Sequence, residues 1–173
     1  MTTQRGEAYR SFFQKLIDVL RENHKFTNAR AGQPRNFYHF PSSVISGVSY
    51  DTFFAENGRV AASVLIDVKR GGKRDPEETR RLFDWLQQDQ ASIEAKFGSQ
   101  LNWSKPDDVR ACNIRVDRPG SIEADAANLQ DIHAWLVANL LKLKEVFGPR
   151  LRAYNSADKA VPPSLPPASQ TAS

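Results

Sequence analysis

The alternation of apolar and polar residues is clearest where Val60, Ala62, Val64, Ile66 and Val68 take every second position, with Ser63, Asp67 and Lys69 between them. Extended backbone sends successive side chains to opposite faces, so this spacing predicts a strand with one continuously apolar side. Upstream, Val44 to Glu56 reads as a second strand, and Asn57-Gly58 between them is a pair that accepts positive φ at both positions. The pattern predicts an antiparallel hairpin closed by a two-residue turn. That turn places Glu56 opposite Arg59, Phe54 opposite Ala61, Tyr50 opposite Leu65 and Val48 opposite Asp67. Asp51 then falls opposite Val64, on the face away from Asp67 and Lys69.

A three- and four-residue rhythm predicts helices elsewhere. Tyr9, Phe12, Phe13, Leu16, Ile17 and Leu20 form the apolar stripe of a helix from Gln4 to His24. A polar loop from Asn23 to Arg35 brings Lys25, Arg30 and Arg35 to the surface, and Phe37 to Phe40 is a short strand stopped by Pro41. Asp75 caps a second helix with Pro76 in its first turn, Leu82, Leu86, Ile93 and Phe97 on its buried face and Gly98 at its end. Around Leu101 and Trp103 the chain is extended, and Cys112, Ile114 and Val116 are the inner face of a further strand. Leu129, Ile132, Leu136, Leu140, Leu143 and Phe147 mark a last helix from Asn128 to Phe147, stopped by Gly148-Pro149. This order predicts an α+β fold, a small mostly antiparallel sheet with three long helices packed against one face. Residues 1–153 are expected to form one domain and 154–173, rich in Pro, Ser and Ala, a disordered tail.

Composition narrows the function classes. At 173 residues, 40% hydrophobic and 25% charged, the chain suits a single globular core. It has no apolar run near the roughly 20 residues that span a bilayer and no signal-peptide segment, so no membrane partner is expected and the location expected is cytoplasmic. One cysteine, Cys112, excludes an internal disulfide and reads as a small buried hydrophobe. Three scattered histidines lack zinc-ligand spacing, and His133 reads as a packing residue beside the last helix's apolar face. No cofactor is expected. Net charge is +4 with a pI near 9.3, and between Arg59 and Arg81 seven basic residues face four acids.

Asp67-Val68-Lys69 at a strand end, with Asp51 upstream, has the form of a D-x-K nuclease centre. Two acids there hold magnesium and a lysine meets the scissile phosphate, so the three side chains must share one cleft. The predicted register sends Asp51 and Asp67 to opposite faces, which argues against that chemistry. Gly71-Gly72 lacks the pattern of a phosphate-binding glycine loop, and neither a G-x-S-x-G elbow nor an H-E-x-x-H helix is present. Glu94 and Glu123 have no evident partner for acid-base work. What remains is the basic segment of Lys69, Arg70, Lys73, Arg74, Arg80 and Arg81, suited to phosphates. Beside it stands Arg35 with Phe37, Tyr38 and His39 as stacking candidates.

The order of R-G-E-A-Y-R-S-F-F, S-G-V-S-Y, V-A-A-S-V-L-I-D, I-E-A-K-F-G with L-N-W, I-H-A-W-L and F-G-P-R-L resembles the bacterial domain of unknown function 4268. The most specific piece is Phe83 through Trp103. The resemblance covers residues 5 to 152. It implies an α+β domain, commonly the C-terminal part of larger proteins and sometimes behind a nuclease-like region, with no established activity. It also implies an apolar strand at Val60 to Asp67 without a fixed lysine matching Lys69. The expectation is therefore a non-enzymatic accessory or binding module whose partner is nucleic acid or a nucleic-acid-processing protein. Protein association, including a homodimer, is the alternative, and a magnesium-dependent nuclease using Asp51, Asp67 and Lys69 is the third.

Overall fold

The computed structural model describes residues 1–159. The chain runs α1 (Gln4–Glu22), β1 (Phe37–Pro41), β2 (Val48–Ala55), β3 (Arg59–Ile66), β4 (Lys69–Arg70), β5 (Lys73–Arg74), α2 (Pro76–Gln87), α3 (Gln90–Phe97), β6 (Asn102–Ser104), β7 (Cys112–Pro119) and α4 (Ala126–Lys159). Five strands form one sheet in the order β1-β2-β3-β7-β6, every neighbouring pair antiparallel, and β4 with β5 makes a separate hairpin. The fold is α+β, as the pattern predicts.

The apolar alternation decides where the core lies. Phe40, Tyr50, Phe54, Val60, Val64, Ile66, Cys112 and Ile114 share one sheet face, and all are buried beneath the helices. Phe12 and Phe13 of α1 pack on Phe54, while Phe83 of α2 and Phe147 of α4 pack on Trp103. Along α4, Leu136, Leu140, Leu143 and Phe147 are fully buried, each such side chain contributing about 1.5–3 kcal/mol. Thr3 caps α1 by accepting from Gly6 N–H at 3.0 Å, and Asp75 caps α2 through Glu78 N–H at 3.1 Å.

Three expectations need correction. The β2–β3 turn holds Glu56, Asn57 and Gly58, because Ala55, not Glu56, lies opposite Arg59. Gly58 takes positive φ and Asn57 does not, so the turn is the three-residue type, which needs one left-handed residue rather than two. Every pairing shifts by one, and Asp51 lies opposite Ser63. The helix expected from Asp75 to Gly98 is two helices, broken at Gln88-Asp89, where Arg150 of α4 binds Asp89 at 3.0 Å. Finally, α4 does not stop at Gly148-Pro149. Pro149 leaves the Glu145 carbonyl without its helical donor, but Leu151 just beyond it is fully buried, so packing carries the helix onward. Residues 154–159, expected in the tail, are the last turns of this helix, and the remainder of the expected tail, 160–173, lies outside the described residues.

Candidate functional site

The basic segment folds as a small hairpin. Gly71 and Gly72 have φ of +57° and +79°, and this left-handed pair lets β4 turn directly into β5 with Lys69 opposite Arg74 and Arg70 opposite Lys73. Two buried carboxylates hold it from behind. Asp67 accepts from Arg110 Nε and Nη2 at 2.7 and 2.9 Å and from Arg74 Nη1 at 2.8 Å, and Arg74 also donates to the Asp67 carbonyl at 3.0 Å. Glu78 accepts from Arg81 at 2.7 Å, from Arg70 at 3.3 Å and from the Tyr154 hydroxyl. Arg80 donates to the Pro106 carbonyl at 2.7 Å. Lys69 and Lys73 have no ion-pair partner among the described residues.

A guanidinium has five N–H donors and a carboxylate uses at most two of them, so Arg74 and Arg110 keep donors facing water while their rotamers are held. Side-chain exposures of 40% for Arg74 and 49% for Arg110 leave those donors within reach of an anion. Arg35 does not join this cluster. It neighbours Phe37, whose row continues through Phe53 to Ala61, six residues before Asp67 and so ~20 Å along the sheet.

The corrected register changes the position of the two candidate acids. Asp67 N–H donates to Gly47 O at 3.0 Å, continuing the pairing in which Asp51 faces Ser63, so by strand parity Asp51 and Asp67 belong to the same side. The predicted separation to opposite faces is wrong. Distance separates them instead, since four residues from Ser63 to Asp67 span about 13 Å. Asp51 has its own partners, His39 Nδ1 at 2.6 Å and Ser49 Oγ at 2.6 Å. The hydrogen bond that the Asp51 carboxylate accepts pushes the His39 pKa up. Among the described residues no group of three or more His, Cys, Asp or Glu side chains is placed to hold a metal ion.

On the sheet face away from the helices, one row crosses all five strands in register: His39, Asp51, Ser63, Arg115 and Asn102. Beside it run Phe37 and Phe53, paired across β1 and β2 and both half-buried. Arg59 and Arg115 both pair with Asp117. The strand alternation held the signal for this face, but the one-residue register error concealed which residues share a row. Arg110 and Tyr154 were not foreseen, because their links to this cluster are long-range.

Other singled-out residues are structural. Cys112 is fully buried, and burial raises its thiol pKa. His133 packs edge-on against Phe12 with ring centroids 6.0 Å apart. Glu94 Oε1 accepts from Leu101 N–H at 3.1 Å, Trp103 Nε1 at 3.0 Å and Gln90 Nε2 at 3.1 Å, tying the end of α3 to β6. No helix among the described residues is long and apolar enough to cross a membrane.

Comparison with known proteins gave no match among curated proteins or solved structures. A family model described as a domain of unknown function (DUF4268) matches residues 8–151, which takes in most of α1, the whole sheet, the basic hairpin and most of α4. Since the match includes both the Glu94 tie and the strands that build the two candidate surfaces, the chain belongs to the DUF4268 family.

Proposed function

We propose that this chain is a non-enzymatic accessory module that binds nucleic acid, alone or beside a nucleic-acid-processing partner. One observation carries the reading: from Asp67 to Arg81, with Arg110 added, seven cations stand against the four carboxylates Asp67, Asp75, Glu77 and Glu78. The surplus sits on a hairpin whose arginines are already fixed, so less side-chain entropy is lost when a phosphate arrives. The two candidate acids for metal chemistry, Asp51 and Asp67, are each committed to cationic or hydroxyl partners.

Lys69 and Lys73 provide the test, because no ion pair among the described residues depends on them. A Lys69→Ala/Lys73→Ala chain should bind a labelled 20-mer more weakly, and its plot of log affinity against log salt should flatten by about 0.7–0.9 for each phosphate that is no longer neutralised. An unaltered salt slope counts against the reading. A second reading, association of two copies, is favoured by β1, which among the described residues pairs only with β2 and leaves one strand edge open. It predicts a dimer in size-exclusion chromatography whose affinity barely responds to salt.

A further inference from the structure

We propose that the open sheet face is a platform for single-stranded nucleic acid, with unpaired bases stacking on Phe37 and Phe53 and phosphates meeting Arg35, Arg59 and Arg115. The inference rests on the nucleic-acid reading above and adds the strand class and the surface. Phe37 and Phe53 are direct cross-strand partners, so their Cβ atoms lie about 4.5–5.5 Å apart, on the sheet face opposite the buried Phe40, Tyr50 and Phe54. The Arg35 guanidinium carbon stands 5.9 Å from the Phe37 ring centroid, and the His39 ring is 4.8 Å from it on the same strand. Guanidinium, phenyl and imidazole thus form a run of flat groups from just before β1 into the strand. Bases splayed from a single strand stack on such groups, whereas duplex bases are already stacked on each other.

Charge on the face favours the same occupant. The two acids nearest the rings are satisfied within the protein: Asp51 by His39 and Ser49, and Asp117 by two arginines, Arg59 and Arg115. Two guanidiniums on one carboxylate leave one positive charge, and Arg35 supplies another. A second copy of the chain is a poorer fit, because a face-to-face dimer would bury the charged row from His39 to Arg115 across the middle of its interface.

Fluorescence anisotropy with the full chain, using labelled dT20, U20 and a 20-base-pair duplex at 50 and 200 mM salt, tests the inference. Expected is at least tenfold tighter binding of a single strand than of the duplex, with Phe37→Ala/Phe53→Ala losing about tenfold per ring while the salt slope stays near that of the native chain. Phe37→Trp/Phe53→Trp keeps two flat rings and should bind at least as tightly as the native protein, which separates stacking from loss of fold. Single-strand affinity unchanged in the alanine variant overturns the inference. So does equal binding of both forms that responds only to Lys69→Ala/Lys73→Ala, an outcome that leaves the phosphate reading standing. A dimer that disappears in the alanine variant without change in binding assigns the face to a second copy and also overturns it. If neither single strand nor duplex binds, the broader nucleic-acid reading fails as well.

Discussion

Glu94 offers the most direct test of how this fold is held together. Its Oε1 accepts three hydrogen bonds, from Leu101 N–H, Trp103 Nε1 and Gln90 Nε2 at 3.0–3.1 Å, where α3 gives way to β6. Glu94→Ala removes the common acceptor and strands two donors, the Leu101 amide and the Trp103 indole. Bonds to a charged acceptor contribute about 1.5–3 kcal/mol each, but water reaches part of this carboxylate and replaces some of the loss. A net cost of about 2–3 kcal/mol is expected, and for a chain of this size it lowers Tm by about 5–10 °C. Glu94→Gln keeps an acceptor oxygen and loses only the charge, so it should cost about 1 kcal/mol. The amide of Leu101 first, then the Trp103 and Gln90 donors, hold the Glu94 carboxyl below the usual glutamate range. A lowered carboxyl pKa stabilises the fold above the unfolded value of about 4.3, and that stabilisation is lost as pH falls through the folded value. Thermal unfolding followed by circular dichroism at pH 7, 5 and 3 should therefore show the gap between native protein and Glu94→Ala narrowing at pH 3. A Tm within about 1 °C of native at pH 7, or a gap independent of pH, would refute the reasoning.

Three other expectations test the corrected structure. Gly58→Ala should cost about 1 kcal/mol in urea denaturation and Asn57→Ala clearly less, because only Gly58 occupies the left-handed region; equal costs would restore the two-residue turn. Leu151→Ala should cost about 2–4 kcal/mol, since this fully buried side chain lies beyond Pro149, and a shift under about 0.5 kcal/mol would mean the helix ends at Phe147 after all. His39 is held above its usual pKa by Asp51, so its contribution to stability is present below about pH 6.5 and lost as pH rises through the folded value. In Asp51→Asn the His39 midpoint, followed by NMR, should move down, and an unmoved midpoint would show that the 2.6 Å contact does not act in solution.

The chain alone was enough to place the core and the elements around it. Val60 through Ile66 alternate, the stripes of α1 and α4 repeat at helical spacing, and Asp75-Pro76 and Gly98 mark helix ends by local chemistry that needs no distant partner. The basic hairpin was visible for the same reason, because glycines and cations adjacent in sequence stay adjacent in space. Tertiary structure decided what depended on contacts between remote segments. The register of β2 on β3 turned on whether one or two turn residues became left-handed, a choice of small energy braced by the 2.9 Å bond from Gly120 N–H to Gly58 O. Helix α4 passed Pro149 because Leu151 and Tyr154 found partners in the core and at Glu78, outweighing one missing helical hydrogen bond. The polar row on the open face could not be read from any one strand, since its five members come from five strands and meet only when the sheet is assembled.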